Sequence, residues 1–220
     1  MSETAAAPAT LRPFLDDFPL VAILRGVDPD TVVAVGTVLV DAGFRIIEVP
    51  LNSPAPLESI RRLAAELPAH CLVGAGTVTD PSSIDTIAAV GGRLIVMPHG
   101  DPAVIRAAKA AGLVCMPGVA TPTEAFAALS NGADALKLFP AELLGPAVLR
   151  AWRSVFAPAT LFLPVGGITP DSLAPFLAAG AAGFGLGSAL YRPGMTVDEV
   201  AGSAAAFAAA LRAARPPVAR

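Results

Sequence analysis

Short runs rich in Val, Ile and Leu recur along this chain, each followed by a stretch with helical spacing, and that alternation limits the fold more than any other feature. The strand candidates are Leu20–Arg25, Ile46–Leu51, Cys71–Thr77, Leu94–Pro98, Leu113–Pro117, Ala135–Phe139, Thr160–Val165 and Ala182–Gly187. Between them lie amphipathic segments such as Asp30–Ala42, Leu57–Leu67, Ala103–Ala111 and Thr123–Leu129, and Val200–Leu211 reads as a final helix. Asp28-Pro29, Asp80-Pro81, Asp101-Pro102, Thr121-Pro122 and Thr169-Pro170 each place a capping oxygen before a proline, a helix-start signal. Gly43, Gly112, Gly132 and Gly180 stand where helices should stop. Alternating βα units joined by short links imply a parallel sheet covered on both faces. Eight of them in one domain predict an α/β fold, a (β/α)8 TIM barrel with an N-terminal helical segment. A doubly wound sheet is the structural alternative.

The 220 residues are 54% hydrophobic, enough for one well-buried core. The expected organisation is a single domain over residues 11–215, with short tails at 1–10 and 216–220. A net charge of −3 speaks against nucleic-acid or anionic-membrane partners. No run resembles a secretory leader or a membrane span, and Cys71 and Cys115 suggest neither a disulfide framework nor a zinc site. The expected location is therefore cytoplasmic.

On a barrel, chemistry belongs at the C-terminal ends of the strands. Read that way, Arg25, Glu48, Thr77, Pro98, Pro117, Lys137, Gly166-Gly167 and Gly187-Ser188 converge on one mouth. Lys137 is one of only two lysines among fifteen basic residues, and it stands inside the apolar run Ala135-Leu136-Lys137-Leu138-Phe139-Pro140. Burial favours the neutral amine, the form that attacks a ketone, whereas an arginine would stay protonated. The competing reading is a structural lysine paired with a carboxylate or reaching out at the strand end. A chain so poor in lysine that nonetheless keeps one in an apolar run favours function. Glu48, in Ile46-Ile47-Glu48-Val49-Pro50-Leu51, is its counterpart on the second strand. Strand alternation puts Glu48 on the side of Ile46 and Lys137 on the side of Ala135, so the two can meet near the barrel axis. They form either a proton-shuttling pair or a structural ion pair.

The ends of strands seven and eight, Val165-Gly166-Gly167-Ile168 and Gly185-Leu186-Gly187-Ser188, suit a phosphate held by bare backbone N–H groups and the Ser188 hydroxyl. Arg25 ends the first strand and either clamps a substrate anion or bridges to a carboxylate such as Glu48. Thr77 is a hydroxyl donor to substrate or an ordinary strand-end threonine. His70 and His99 have no metal-like partner spacing, and no nucleophilic triad or dinucleotide fingerprint is present.

Taken together, Ala22-Ile23-Leu24-Arg25-Gly26, Glu48-Val49-Pro50-Leu51-Asn52-Ser53-Pro54, Gly74-Ala75-Gly76-Thr77-Val78, Ala135–Pro140, Val165-Gly166-Gly167 and Gly185–Ser188 resemble the 2-keto-3-deoxy-6-phosphogluconate/galactonate aldolases, from about Pro19 to Ala214. The resemblance implies a homotrimeric class I aldolase that takes a small phosphorylated keto acid to pyruvate and D-glyceraldehyde 3-phosphate, without metal or other cofactor. It assigns Lys137 as the Schiff-base lysine and Glu48 as the general acid/base. Arg25, Thr77, Pro98, Phe139, Val165, Gly166, Gly167, Gly187 and Ser188 would surround the substrate. Gluconate-type members resemble Thr-Leu-Arg-Thr after the glutamate and Thr-Gly-Gly-Ile at strand seven. Pro50-Leu51-Asn52-Ser53 and Val165-Gly166-Gly167-Ile168 look instead like the galactonate branch. The alternatives are the same chemistry on the gluconate epimer or on 4-hydroxy-2-oxoglutarate, and a non-catalytic sugar-phosphate sensor.

Overall fold

Side-chain caps set where three of the α-helices begin. The structure, a computed structural model, describes residues 10–215, so the tails expected at 1–10 and 216–220 lie outside the described residues apart from Thr10. In chain order the elements are α1 (Arg12–Asp17), β1 (Leu20–Ile23), α2 (Val32–Asp41), β2 (Ile46–Pro50), α3 (Pro56–Glu66), β3 (Leu72–Gly76), α4 (Ile84–Ala89), β4 (Leu94–Val96), α5 (Pro102–Ala110), β5 (Val114–Met116), β6 (Gly118–Val119), α6 (Pro122–Ser130), β7 (Leu136–Leu138), α7 (Ala141–Arg153), β8 (Phe162–Pro164), α8 (Leu173–Ala178), β9 (Phe184–Leu186) and α9 (Val197–Ala214).

Asp101 accepts from the Ala103 N–H at 2.7 Å, and Thr121 and Glu124 form a reciprocal capping box at the start of α6. Each such cap is worth about 1 kcal/mol. Asp28 behaves differently. Its carboxylate accepts from the Asp30 N–H and its carbonyl from Thr31 and Val32, so a turn intervenes and α2 starts at Val32 rather than Asp30. The four glycines expected to stop helices all take positive φ, between 72° and 110°.

Every strand pair is parallel. Hydrogen bonding divides the strands into a six-stranded sheet, β5-β4-β3-β2-β1-β9, and a three-stranded sheet, β6-β7-β8. The two belong to one curl, because β5 and β6 are separated only by Pro117 and Val165 after β8 bridges to Gly185 in β9. The sequence predicted one strand over Leu113–Pro117; Pro117 has no N–H to give, and the chain divides there into two short strands.

Strand alternation sorts the core into two bodies. Val21, Ile46, Leu72, Leu94, Val114, Ala135 and Leu163 fill the inside of the curl together with Leu11 and Leu15 of α1. Leu20, Ile47, Val73, Ile95, Cys115, Leu136 and Phe162 face the helices instead. Full burial of an aliphatic side chain of this kind contributes about 1.5–3 kcal/mol. Helix α1 closes the end of the curl where the strands begin, with Asp17 accepting from Arg45 at 3.2 Å just before β2. The other end is left open. No helix among the described residues is long and apolar enough to cross a membrane.

Candidate active site

At the open end the strands deliver their last side chains into a cleft of about 310 Å³. Its walls include Arg25, Thr77, Pro98, Lys137, Phe139, Val165, Gly166, Gly167, Gly187 and Ser188. Of the strand-end residues that the sequence places at one mouth, all but Glu48 and Pro117 line this cleft. It adds Ile23, Ile168, Thr169 and Ala189. Ile23 lies two residues before Arg25 on one strand face, so alternation alone contained the signal; Ile168 and Thr169 simply continue the glycine turn.

Lys137 is 7% exposed, held by β7 between Gly118 of β6 and Leu163 of β8. Its ammonium lies 4.7 Å from the centre of the Phe139 ring. None of the ion pairs among the described residues involves Lys137, Glu48 or Arg25. A direct Lys137–Glu48 ion pair is thus not among the contacts of the described residues. Burial holds Lys137 below the usual lysine range and Arg25 pushes the same way, while Glu48 opposes them. A larger neutral fraction is what a nucleophilic amine requires.

Glu48 is 2% exposed and lies off the cleft wall, between β1 and β3. Burial pushes its carboxyl up to about 7, against the lowering pull of Lys137 and Arg25. Its Oε2 is buried with no hydrogen-bond partner. A carboxyl titrating near neutrality beside a depressed amine is a pair equipped to give and take protons in the working range.

Arg25 does not bridge to Glu48. Its guanidinium donates to Asn52 Oδ1 at 2.5 Å and to Thr77 Oγ1 at 3.1 Å. The next residue, Gly26, donates its N–H to Ser53 Oγ at 2.9 Å. The turn after β2 thus fixes the loop after β1, which sequence reading alone did not reveal. Thr77 takes φ 55°, an uncommon left-handed conformation for a β-branched residue. Val165 leans over Gly185: a methyl on that glycine would stand 2.6 Å from Val165 Cγ2. The backbone after β8 turns through Gly166 and Gly167 at φ 102° and 65°, leaving main chain bare at the cleft.

A family model described as KDPG and KHG aldolase matches residues 12–201. The chain is similar to a probable 2-dehydro-3-deoxy-6-phosphogalactonate aldolase of Rhizobium meliloti (strain 1021), at 48% identity over 87% of this chain and 91% of the relative. It is also similar to a 2-dehydro-3-deoxy-6-phosphogalactonate aldolase of Escherichia coli (strain K12), at 46% identity over 89% and 96% of the two chains. A solved structure described as native KDPGal superposes with a TM-score of 0.88 at 46% identity, covering 90% of this chain and 96% of that one.

Proposed function

Because the chain belongs to the KDPG and KHG aldolase family and is an aldehyde-lyase, we propose that it cleaves 2-dehydro-3-deoxy-6-phospho-D-galactonate to pyruvate and D-glyceraldehyde 3-phosphate through a Schiff base on Lys137. The observation that carries this reading is a buried lysine on the cleft wall with a depressed pKa and no carboxylate in ion-pair contact.

In this mechanism the Lys137 amine adds to the C2 ketone and loses water to give a protonated imine, which withdraws electrons from C3. Glu48, through a water molecule, takes the proton of the C4 hydroxyl. The C3–C4 bond breaks, the aldehyde phosphate leaves, and the remaining enamine is reprotonated at C3. Hydrolysis then frees pyruvate and returns the amine. No metal enters any step. A Glu48 carboxyl near 7 can accept and return that proton at neutral pH. Arg25 and Thr77, already hydrogen-bonded to each other, face the carboxylate end of the substrate. The bare turn at Gly166-Gly167, with Gly187 and Ser188, takes the phosphate. Pro98 and Phe139 supply apolar wall, and Val165 stands near the C4 centre. A non-catalytic sensor would have no use for a buried amine shifted toward its neutral form.

The curled sheet reads as a closed (β/α)8 ring over a single domain. The Lys137 N–H donating to Pro117 O at 2.9 Å and the Ala182 N–H donating to Phe162 O at 2.9 Å support closure on both sides of the smaller sheet. A homotrimer is the proposed assembly, supported by exposed Phe126 and Val155, with Phe126 stacked on Phe156 at 4.3 Å. Two buried free cysteines suit a reducing cytoplasm.

The test is pyruvate release from both C4 epimers of the phosphorylated keto acid, coupled to lactate dehydrogenase. A preference for the galactonate epimer is expected. A gluconate preference would discard the specificity argument while keeping the chemistry, and release from neither would remove the function.

A further inference from the structure

The catalytic carboxylate occupies space that belongs to another residue's side chain. Glu48 pairs with Gly74 across the β2–β3 ladder, and Pro50 pairs with Gly76. The Glu48 carboxylate nevertheless lies against Gly76, two residues further along β3 toward the open end. A Cβ on Gly76 would stand 1.8 Å from Oε2, 2.3 Å from Cδ and 2.4 Å from Oε1 of Glu48, distances no packed structure tolerates. Two strand residues amount to about 6.6 Å of rise. The missing side chain thus lets Glu48 lean from its own level on the sheet to that of Gly76, one residue before the cleft-lining Thr77.

Three further observations tie Gly76 to the carboxylate rather than to the backbone. Gly76 is absent from the positive-φ residues, so an alanine is allowed there by its own dihedrals. Its nearest would-be contacts are all atoms of the Glu48 carboxyl group, whereas an alanine at Gly74 would strike the Leu94 main chain. Finally, Glu48 Oε2 has no hydrogen-bond partner to hold it. Steric room, not a hydrogen bond, therefore fixes where this oxygen sits.

We propose that Gly76 is a positioning residue for Glu48: its lack of a side chain sets the carboxylate at the height from which it serves the bond-breaking step. This rests on the proton-shuttle role given to Glu48 above. A methyl at 76 would push the carboxylate off β3 and away from the C4 hydroxyl, leaving Lys137 and the imine untouched. A shorter acid at 48 would withdraw from the methyl and restore part of the function.

The experiment is a two-by-two set: wild type, Gly76→Ala, Glu48→Asp, and Gly76→Ala with Glu48→Asp. For Gly76→Ala the expected result is a fall in kcat of ~10²-fold or more, the loss typical of a displaced general base. KM and the yield of borohydride-trapped pyruvate should stay within about twofold of wild type. The double variant should turn over at least tenfold faster than the product of the two single losses predicts. Strictly multiplicative losses, or a Gly76→Ala enzyme with wild-type kcat, would overturn the proposal. A companion pair reads the geometry without using activity: the stability of Glu48→Ala against that of Glu48→Ala with Gly76→Ala. With the carboxylate gone the methyl has room, so the two should unfold at the same urea concentration even if Gly76→Ala alone fails to fold. A marked further loss in the double variant would show that Gly76 answers to something other than Glu48. Because this pair needs no turnover, failure of the aldolase reading and failure of the positioning claim give different results.

Discussion

The chain's two lysines stand at opposite ends of the same curled sheet, and the contrast between them separates structure from chemistry. Lys109, at the end of α5 where the strands begin, donates to Asp134 at 2.6 Å and to the Leu113 carbonyl at 3.0 Å. The same Asp134 oxygen accepts the Cys115 N–H at 2.8 Å, so one carboxylate ties helix, strand and loop together. Lys137, at the open end, has no carboxylate in ion-pair contact, and its ammonium lies 4.7 Å from the centre of the Phe139 ring. A charged group that serves the fold is given partners. Lys137, to which the proposed mechanism gives the reaction, is left without them, at a cost in stability that the rest of the core offsets.

The contrast breaks first at Lys137. Lys137→Met keeps the apolar stem and removes the amine, and turnover should fall by at least ~10⁴-fold because no other amine among the described residues lines the cleft. Lys109→Met should leave kcat and KM unchanged, and a loss of catalysis there would undo the division between the two ends. Next in size is Glu48→Gln, expected to cut kcat by ~10² to 10⁴-fold while pyruvate still forms its adduct. In wild type, kcat should fall as pH drops through an apparent pKa near 7, because protonation removes the base. A flat profile between pH 5.5 and 8 would exclude Glu48 from that role.

Stability sharpens the same comparison with a definite sign. The Glu48 carboxyl is raised from 4.5 to about 7, so between those values the native protein holds a proton that the unfolded chain has released. Stability therefore declines as pH rises from 4.5 to 7 and levels off above, by about 3 kcal/mol in all. Glu48→Gln should lack that slope in urea unfolding series and be the more stable protein at pH 8. A parallel slope in the variant would mean that the pH dependence arises elsewhere. Ser188→Ala should raise KM for the phosphorylated substrate about tenfold and leave pyruvate binding unchanged. Smallest is the effect of Lys109→Met on folding, a loss of about 1 kcal/mol from a partly exposed ion pair.

Much of this was legible in the residues themselves. Period-two burial put Glu48 with Ile46 and Lys137 with Ala135 on the inner face, and the capping residues before proline located α5 and α6. What stayed hidden depends on contacts between segments distant in sequence. Pro117 reads as a strand end, yet the chain continues as β6 because the neighbouring β7 offers partners beyond it. The role of Asn52 and Ser53 in holding Arg25 and Gly26 needs two loops brought side by side. Thr77 in a left-handed conformation, and Ala55 likewise at φ 36°, run against local preference and are imposed by the surrounding fold. The room above Gly76 is invisible in a motif, where a glycine looks like any other turn or strand residue.

The central claim, that Lys137 and not Lys109 forms the covalent intermediate, is tested most directly by reducing the wild-type protein with borohydride in the presence of pyruvate and mapping the modified peptide by mass spectrometry. One adduct on Lys137, with Lys109 unmodified, is the predicted result. An adduct on Lys109, or none on either lysine while the protein still releases pyruvate from its substrate, would contradict the account.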